Sequence, residues 1–228
     1  MRRCFKFIQN YIDFKGLIFF ISSVTLSFST SFAGSYDDFF KAIKIDDAPT
    51  VQALLNRGFD PNTPDPQGAH GLHLALAENN LKVVRALLAS RQIQVDARNK
   101  QDETPLMLAA LKGDLPLVLA FVARGADINK TGWTPLHYAA TKGSVPIIRE
   151  LLDKHAYIDA ESPNGTTPLM MAAMYGTPEA VKTLLEAGAD PTIKNNLGLT
   201  AKDFASTMER NKESAALIGA FAAGWGRR

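Results

Sequence analysis

Apolar side chains along this chain gather into a phrase that returns at a nearly fixed interval. It reads Thr104-Pro105-Leu106-Met107-Leu108-Ala109-Ala110, then Thr134-Pro135-Leu136-His137-Tyr138-Ala139-Ala140, then Thr167-Pro168-Leu169-Met170-Met171-Ala172-Ala173. A looser copy, His70-Gly71-Leu72-His73-Leu74-Ala75, precedes these, and a degenerate one begins at Thr200 with Ala201-Lys202-Asp203-Phe204-Ala205. Successive starts lie 34, 30, 33 and 33 residues apart. A period of that size marks stacked units, none of which buries its apolar face alone. Each copy runs on through a small or polar corner into a second apolar stretch such as Val181-Lys182-Thr183-Leu184-Leu185. It closes on a phrase like Gly125-Ala126-Asp127-Ile128-Asn129 or Gly188-Ala189-Asp190-Pro191.

The residue types predict two short helices per unit. Thr104, Thr134 and Thr167 stand where a hydroxyl caps the free N–H groups of a helix start. Pro105, Pro135 and Pro168 follow at the first helical position, where no N–H is needed. Gly113, Gly143 and Gly176 turn the chain, and Pro116, Pro146 and Pro178 start the second helix. Gly58, Gly125 and Gly188 end it in a left-handed conformation that is cheap only without a Cβ. His155 takes that slot in one copy, at a mild local cost, because histidine tolerates positive φ.

Together, the Thr-Pro-Leu-His pattern, the period and the Gly-Ala-Asp close resemble the ankyrin repeat. The resemblance covers nearly all of the chain after residue 33. It implies an all-α solenoid of about five to six repeats including caps, with short β-hairpin or loop fingers between units. The division it suggests is an N-terminal capping repeat at 34–66, repeats at 67–100, 101–130, 131–163 and 164–196, and a C-terminal cap and tail at 197–228. In the first cap, Tyr36, Phe39, Phe40 and Ile43 form one helix and Val51, Leu54 and Leu55 the other. The Ala-rich tail, Ala215 to Phe221, is expected either to fold back or to form a contact. Two departures carry expectations of their own. His70-Gly71 replaces Thr-Pro, which leaves that inner helix the least well capped. The connection Asp127–Trp133 is three residues short, which clips its finger.

Residues 1–33 have a different character. Arg2, Arg3, Lys6 and Lys15 precede an uncharged stretch from Gly16 to Tyr36 centred on Leu17-Ile18-Phe19-Phe20-Ile21, and Ser31-Phe32-Ala33 has a small-x-small pattern. That is the layout of a secretory signal peptide cut after Ala33. The rival reading is an uncleaved anchor holding a membrane-tethered organiser, since the uncharged stretch is just long enough to span a bilayer. Against it, seven of the ten residues from Ser22 to Ser31 are Ser or Thr, which suits hydrocarbon poorly. The expected location is the periplasm, with secretion as the runner-up.

Composition narrows the function. The chain is 228 residues long with 46% apolar and 21% charged side chains, which excludes a disordered or polytopic membrane protein. Beyond residue 33 it carries 21 basic and 22 acidic residues, without the basic footprint of a nucleic-acid binder. The one cysteine, Cys4, lies in the leader, so the body has neither a disulfide framework nor a thiolate zinc site. His70 and His73 share a helix face at metal-ligand spacing, but no acidic or thiol partner lies nearby in sequence. No nucleophile elbow, phosphate loop, dinucleotide fingerprint or zinc-protease motif occurs. No catalytic residue, metal site, cofactor or small-molecule substrate is inferred; an enzyme with a cryptic site is the remote alternative.

What the resemblance implies instead is protein binding by the concave wall of fingers and inner-helix ends. The finger positions it assigns are Gln67, Ala69, Gln101, Glu103, Thr131, Trp133, Asn164 and Thr166. Its helix-exit positions include Ala77, Glu78, Leu111, Lys112, Thr141, Lys142, Met174 and Tyr175. Leu111, Trp133, Met174 and Tyr175 give an apolar centre, and Glu78, Glu103, Lys112 and Lys142 a charged rim, with Thr141 and Asn164 beside them. An aromatic centre within a charged rim is the usual anatomy of a protein-binding patch. The expected partner is another protein, of the envelope or secreted. The resemblance also implies that His73 and His137 bond backbone and a neighbouring hydroxyl.

Overall fold

The computed structural model describes residues 34–225, so the leader assigned to residues 1–33 lies outside the described residues. The chain forms helix pairs stacked side by side. The first helix, α1, covers residues 34–44 and pairs with α2 (Ala48–Asn56). The inner helices that follow are α3 (Gly71–Ala77), α5 (Pro105–Lys112), α7 (Pro135–Lys142), α9 (Pro168–Tyr175) and α11 (Ala201–Ser206). Their outer partners are α4 (Leu81–Ala89), α6 (Leu115–Ala123), α8 (Val145–Asp153), α10 (Pro178–Glu186) and α12 (Lys212–Gly224). Inner helices pack on inner and outer on outer, so the core is a continuous band rather than a ball. Leu72, Leu106, Leu136 and Leu169 fill it from the inner layer, and Val84, Phe121, Ile148 and Val181 from the outer. Ala109, Ala139 and Ala172, all buried, let the inner helices approach closely.

The expected caps are present. The Thr104, Thr134, Thr167 and Thr200 hydroxyls accept from the N–H three residues on, each at 3.4 Å. His70 supplies no such bond, so α3 is the poorly capped helix that its sequence predicts. Replacing a capping threonine by alanine typically costs about 1 kcal/mol. Thr167→Ala is therefore expected to lower stability by about that amount in urea denaturation, and a loss under a quarter of it means the cap is idle.

The outer helices end as anticipated, with φ of +89° at Gly58, +79° at Gly125, +104° at Gly188 and +65° at His155. Beyond each corner, one side chain per unit ties the chain to the next repeat. Asn62 accepts from the Gln94 N–H at 2.8 Å, Asp96 from Asp127 at 2.9 Å, Asn129 from Tyr157 at 2.8 Å and Asp159 from Asp190 at 3.1 Å. Among the described residues the fingers form no ladder beyond one bridge, Pro64 to His70. They are loops closed by a side chain: Asp65, Asn99, Ser162 and Asn195 each accept from the N–H four residues on.

The short finger lacks that closure. Asn129 stands in the closing position but is already spent on the neighbouring repeat, where it also donates to the His155 carbonyl. Lys130 takes over: its ammonium, only 2% exposed, donates to Asp102 of the preceding finger and to its own neighbour's carbonyl at Thr131. The tip itself survives, with Gly132 at φ +84° like Gly68 and Gly165. The missing residues come out of the approach to the tip.

At the far end α12 folds back onto α10 and α11, burying Ser214 and Ile218. The Asn211 amide donates to the Met174 carbonyl at 3.0 Å, as Asn80 donates to Ile43 at 2.7 Å near the first cap. Among the described residues no helix is long and apolar enough to cross a membrane.

Candidate protein-binding groove

The side chain four residues after each cap faces the concave side of the stack. Leu74, Leu108, Tyr138, Met171 and Phe204 hold this position, every one apolar and half-buried against the core. They make a floor that runs the length of the solenoid. Above it lie three adjoining hollows. The first, ≈ 390 Å³, opens between α1 and the first finger and reaches Leu74 and Glu78. The second, ≈ 480 Å³, lies over Leu74, Leu108 and Leu111 between the first two fingers. The third, ≈ 230 Å³, is walled by Leu111, Trp133, Tyr138, Thr141 and Met171. Gln67 and Leu74 line both the first and the second, and Leu111 both the second and the third, so the hollows form one groove.

The structure gathers part of the expected patch there. Glu78, Glu103, Leu111, Lys112, Trp133 and Thr141 line the groove, whereas Lys142, Asn164, Met174 and Tyr175 lie outside these three hollows. Leu111 is 39% and Tyr175 48% exposed. Trp133 is half-buried and meets the His137 ring edge-on at 5.2 Å, so one side of its indole is already used. Reasoning from sequence missed the floor itself. The floor position precedes the helix-exit positions by three and four residues, which places all of them on one helical face. It also missed Leu197 and Leu199 on the last finger, where Leu197 is 80% exposed.

Polar groups around the groove are largely spent on the scaffold. The Tyr138 hydroxyl donates to one Glu103 carboxylate oxygen at 2.8 Å and the Asn99 amide to the other at 2.7 Å. Burial, and then the Glu103 carboxylate, push the Tyr138 hydroxyl well above the usual phenol range. The Thr141 hydroxyl donates to the His137 carbonyl at 2.8 Å. The hydrogen bond from Lys130 holds the Asp102 carboxyl below its ordinary value.

The histidines are structural too. His137 Nδ1 accepts the Thr134 N–H at 3.1 Å and lies 2.8 Å from the Thr134 hydroxyl, while Nε2 bonds the Thr166 carbonyl at 2.8 Å. An Nδ1 that accepts and an Nε2 that donates define one neutral tautomer. Burial lowers its pKa from 6.5 to about 4. His73 makes the equivalent bond to the Glu103 carbonyl at 3.0 Å, but no threonine precedes it and its Nδ1 is without a partner. His70 Nδ1 turns instead to the Asn62 carbonyl at 3.0 Å. Among the described residues no three metal-ligating side chains gather. The groove therefore offers apolar surface with charges of both signs along its edges, Asp37, Asp65 and Glu78 beside Lys41 and Lys44 in the first hollow and Lys100 and Lys112 in the second.

Comparison with known proteins agrees with this geometry. The profile described as "Ankyrin repeats (3 copies)" matches residues 39–131 and 106–195. The chain is 32% identical over 143 residues to the rat ankyrin repeat and SAM domain-containing protein 6, a match that covers 63% of this chain and 13% of that protein. It is 30% identical over 159 residues to the zebrafish putative palmitoyltransferase ZDHHC13, covering 69% of this chain and 20% of that one. The chain thus spans a fifth or less of these relatives' length. A crystal structure of an ankyrin repeat domain from Acinetobacter baumannii AYE superposes with a TM-score of 0.68 at 25% identity, covering 79% of this chain and 95% of that one.

Proposed function

The chain belongs to the ankyrin repeat family, whose repeats serve as protein-interaction scaffolds, and from that premise we propose that it is a non-enzymatic scaffold or regulator that binds another protein in the concave groove. The observation that carries this reading is the unbroken apolar floor from Leu74 to Met171 beneath three adjoining hollows. An apolar centre within a polar rim is the usual anatomy of a protein-binding patch. We further propose export to the periplasm by residues 1–33, with an envelope or secreted protein as the partner; the support is the order of basic, apolar and small residues in that segment.

The test is photo-crosslinking in the living cell, with a photoreactive residue placed at Leu111 or, as a control, at Leu119. Leu119 is similarly exposed, at 42%, but stands on the outer helix α6. A discrete adduct from position 111 and none from 119 is expected. Equal adducts from both, or none from 111, would sink the groove reading. The N-terminus of the recovered protein tests export: Gly34 supports cleavage, and an intact Met1 on a membrane-bound form favours the tethered organiser.

A further inference from the structure

The second hollow has cations on both of its walls. Lys100 rises on the finger side, its stem lying over Gly68, where an added β-carbon would stand 3.9 Å from the lysine Cε. Lys112 lines the opposite wall at the end of α5. The Lys142 stem runs back over Gly113, the residue after Lys112, so closely that a β-carbon there would meet its Cε at 3.1 Å. Two ammonium-bearing stems therefore share the end of one helix. A lysine in the last turn is favoured by the helix dipole, and a second cationic side chain crossing the same helix end adds to the positive field there. The ion pairs among the described residues use Arg98, Lys130, Lys182 and Lys212, and none includes Lys100, Lys112 or Lys142. The carboxylate that lines this hollow, Glu103, has both oxygens occupied by Tyr138 and Asn99.

We propose that the occupant of this hollow is an acidic segment of the partner protein, seating bulky aliphatic side chains over Leu74, Leu108 and Leu111 with carboxylates on either side, reaching Lys100 and the Lys112–Lys142 pair. The proposal rests on the protein-binding reading of the groove and adds the chemistry of the partner. An extended peptide fits better than a compact ligand because the hollow continues at both ends into its neighbours, through Gln67 and Leu74 one way and Leu111 the other. Opposite charge across such a rim acts mainly on specificity and association rate.

The experiment uses the purified full chain and short fluorescein-labelled peptides with a Leu-Leu core in a Gly-Ser background, flanked by Asp, Asn or Lys. Fluorescence anisotropy is expected to show the Asp peptide binding about tenfold more tightly than the Asn peptide, with the gap closing in high salt. In the double variant Lys112→Glu, Lys142→Glu the order is expected to invert in favour of the Lys peptide, a gain that a misfolded protein does not give. No preference among the three peptides overturns the proposal, as does an Asp preference that survives the double variant. Tighter binding of laurate than of any peptide overturns it in favour of a single-chain amphiphile, and self-association abolished by the double variant in favour of a second copy. A discrete cross-link from Leu111 in cells together with any of these failures leaves the protein-binding groove standing and removes only the acidic segment.

Discussion

Gly176→Ala is expected to cost about 3 kcal/mol or more, the upper range for overpacking a close-packed site. Its backbone is not the obstacle, since φ is −78°. The obstacle is space: a β-carbon would stand 2.4 Å from the Ala140 carbonyl oxygen and 2.9 Å from that of Ala172. Both are backbone atoms of α7 and α9, which cannot swing aside as a side chain does. The cause lies two residues on. Pro178 stands at the first position of α10, where Pro116 in α6 and Pro146 in α8 stand at the second, so the residue that proline biases toward extended backbone is here the N-cap, Thr177. Thr177 accordingly has ψ 155°, where Asp114 and Ser144 have 87° and 91°. With Thr177 so turned, Gly176 leaves the left-handed conformation held by Gly113 and Gly143 and presses on the preceding repeat. The control is Gly125→Ala, at φ +79° with nothing within 4 Å of a new β-carbon, expected to cost only about 1–2 kcal/mol for the strained dihedral. Urea denaturation of both variants checks the contrast. If Gly176→Ala is no worse than Gly125→Ala, the close approach is not what fixes glycine there.

The contrast between those two glycines also marks what a sequence reveals about this molecule. Thr104-Pro105 and its copies are legible because capping is a contact within four residues, written entirely in one unit. Gly125 and His155 are legible because a left-handed corner is a local demand. Gly176 reads as one more corner, yet its constraint comes from Ala140, an atom of the preceding repeat. Lys130 is the same kind of case. A lysine beside a shortened loop suggests a solvated charge, and only the stacked neighbour supplies Asp102 to bury it against. The groove divides likewise. Leu111 and Trp133 stand at positions that the ankyrin resemblance assigns to the concave wall, but Tyr138 is hidden in the helical phrase, and Glu103 reads as a rim charge although its carboxylate is engaged from both sides. Local chemistry is repeated in every unit and can be read once; contacts between units vary with each pair of sequences that meet.

His137→Met is expected to make the protein less stable than its parent at pH 7 and more stable near pH 4. Two other repeats already carry the substitution: Met107 and Met170 fill the same slot, and their Sδ atoms accept the capping residue's N–H at 3.3 and 3.5 Å. At neutral pH the variant loses the bond from His137 Nε2 to the Thr166 carbonyl, worth about 1 kcal/mol. Acid reverses the order. The folded protein holds His137 neutral down to about pH 4, because burial strips water from the charged ring, in a site where Nδ1 already accepts the Thr134 N–H. The unfolded chain takes up that proton at the ordinary value of 6.5. Between these values the unfolded state binds more protons, so the parent's stability is whole above pH 6.5 and drains as the pH falls toward 4. The loss reaches about 3 kcal/mol for a shift of this size. The methionine variant lacks this drain, whereas His73 and the carboxylates titrate alike in both proteins and cancel in the difference. Stability curves from urea denaturation at closely spaced pH values should therefore cross between pH 6.5 and 4. Parallel curves would mean that His137 takes its proton without leaving Thr134, and that the neutral tautomer is not what this slot demands.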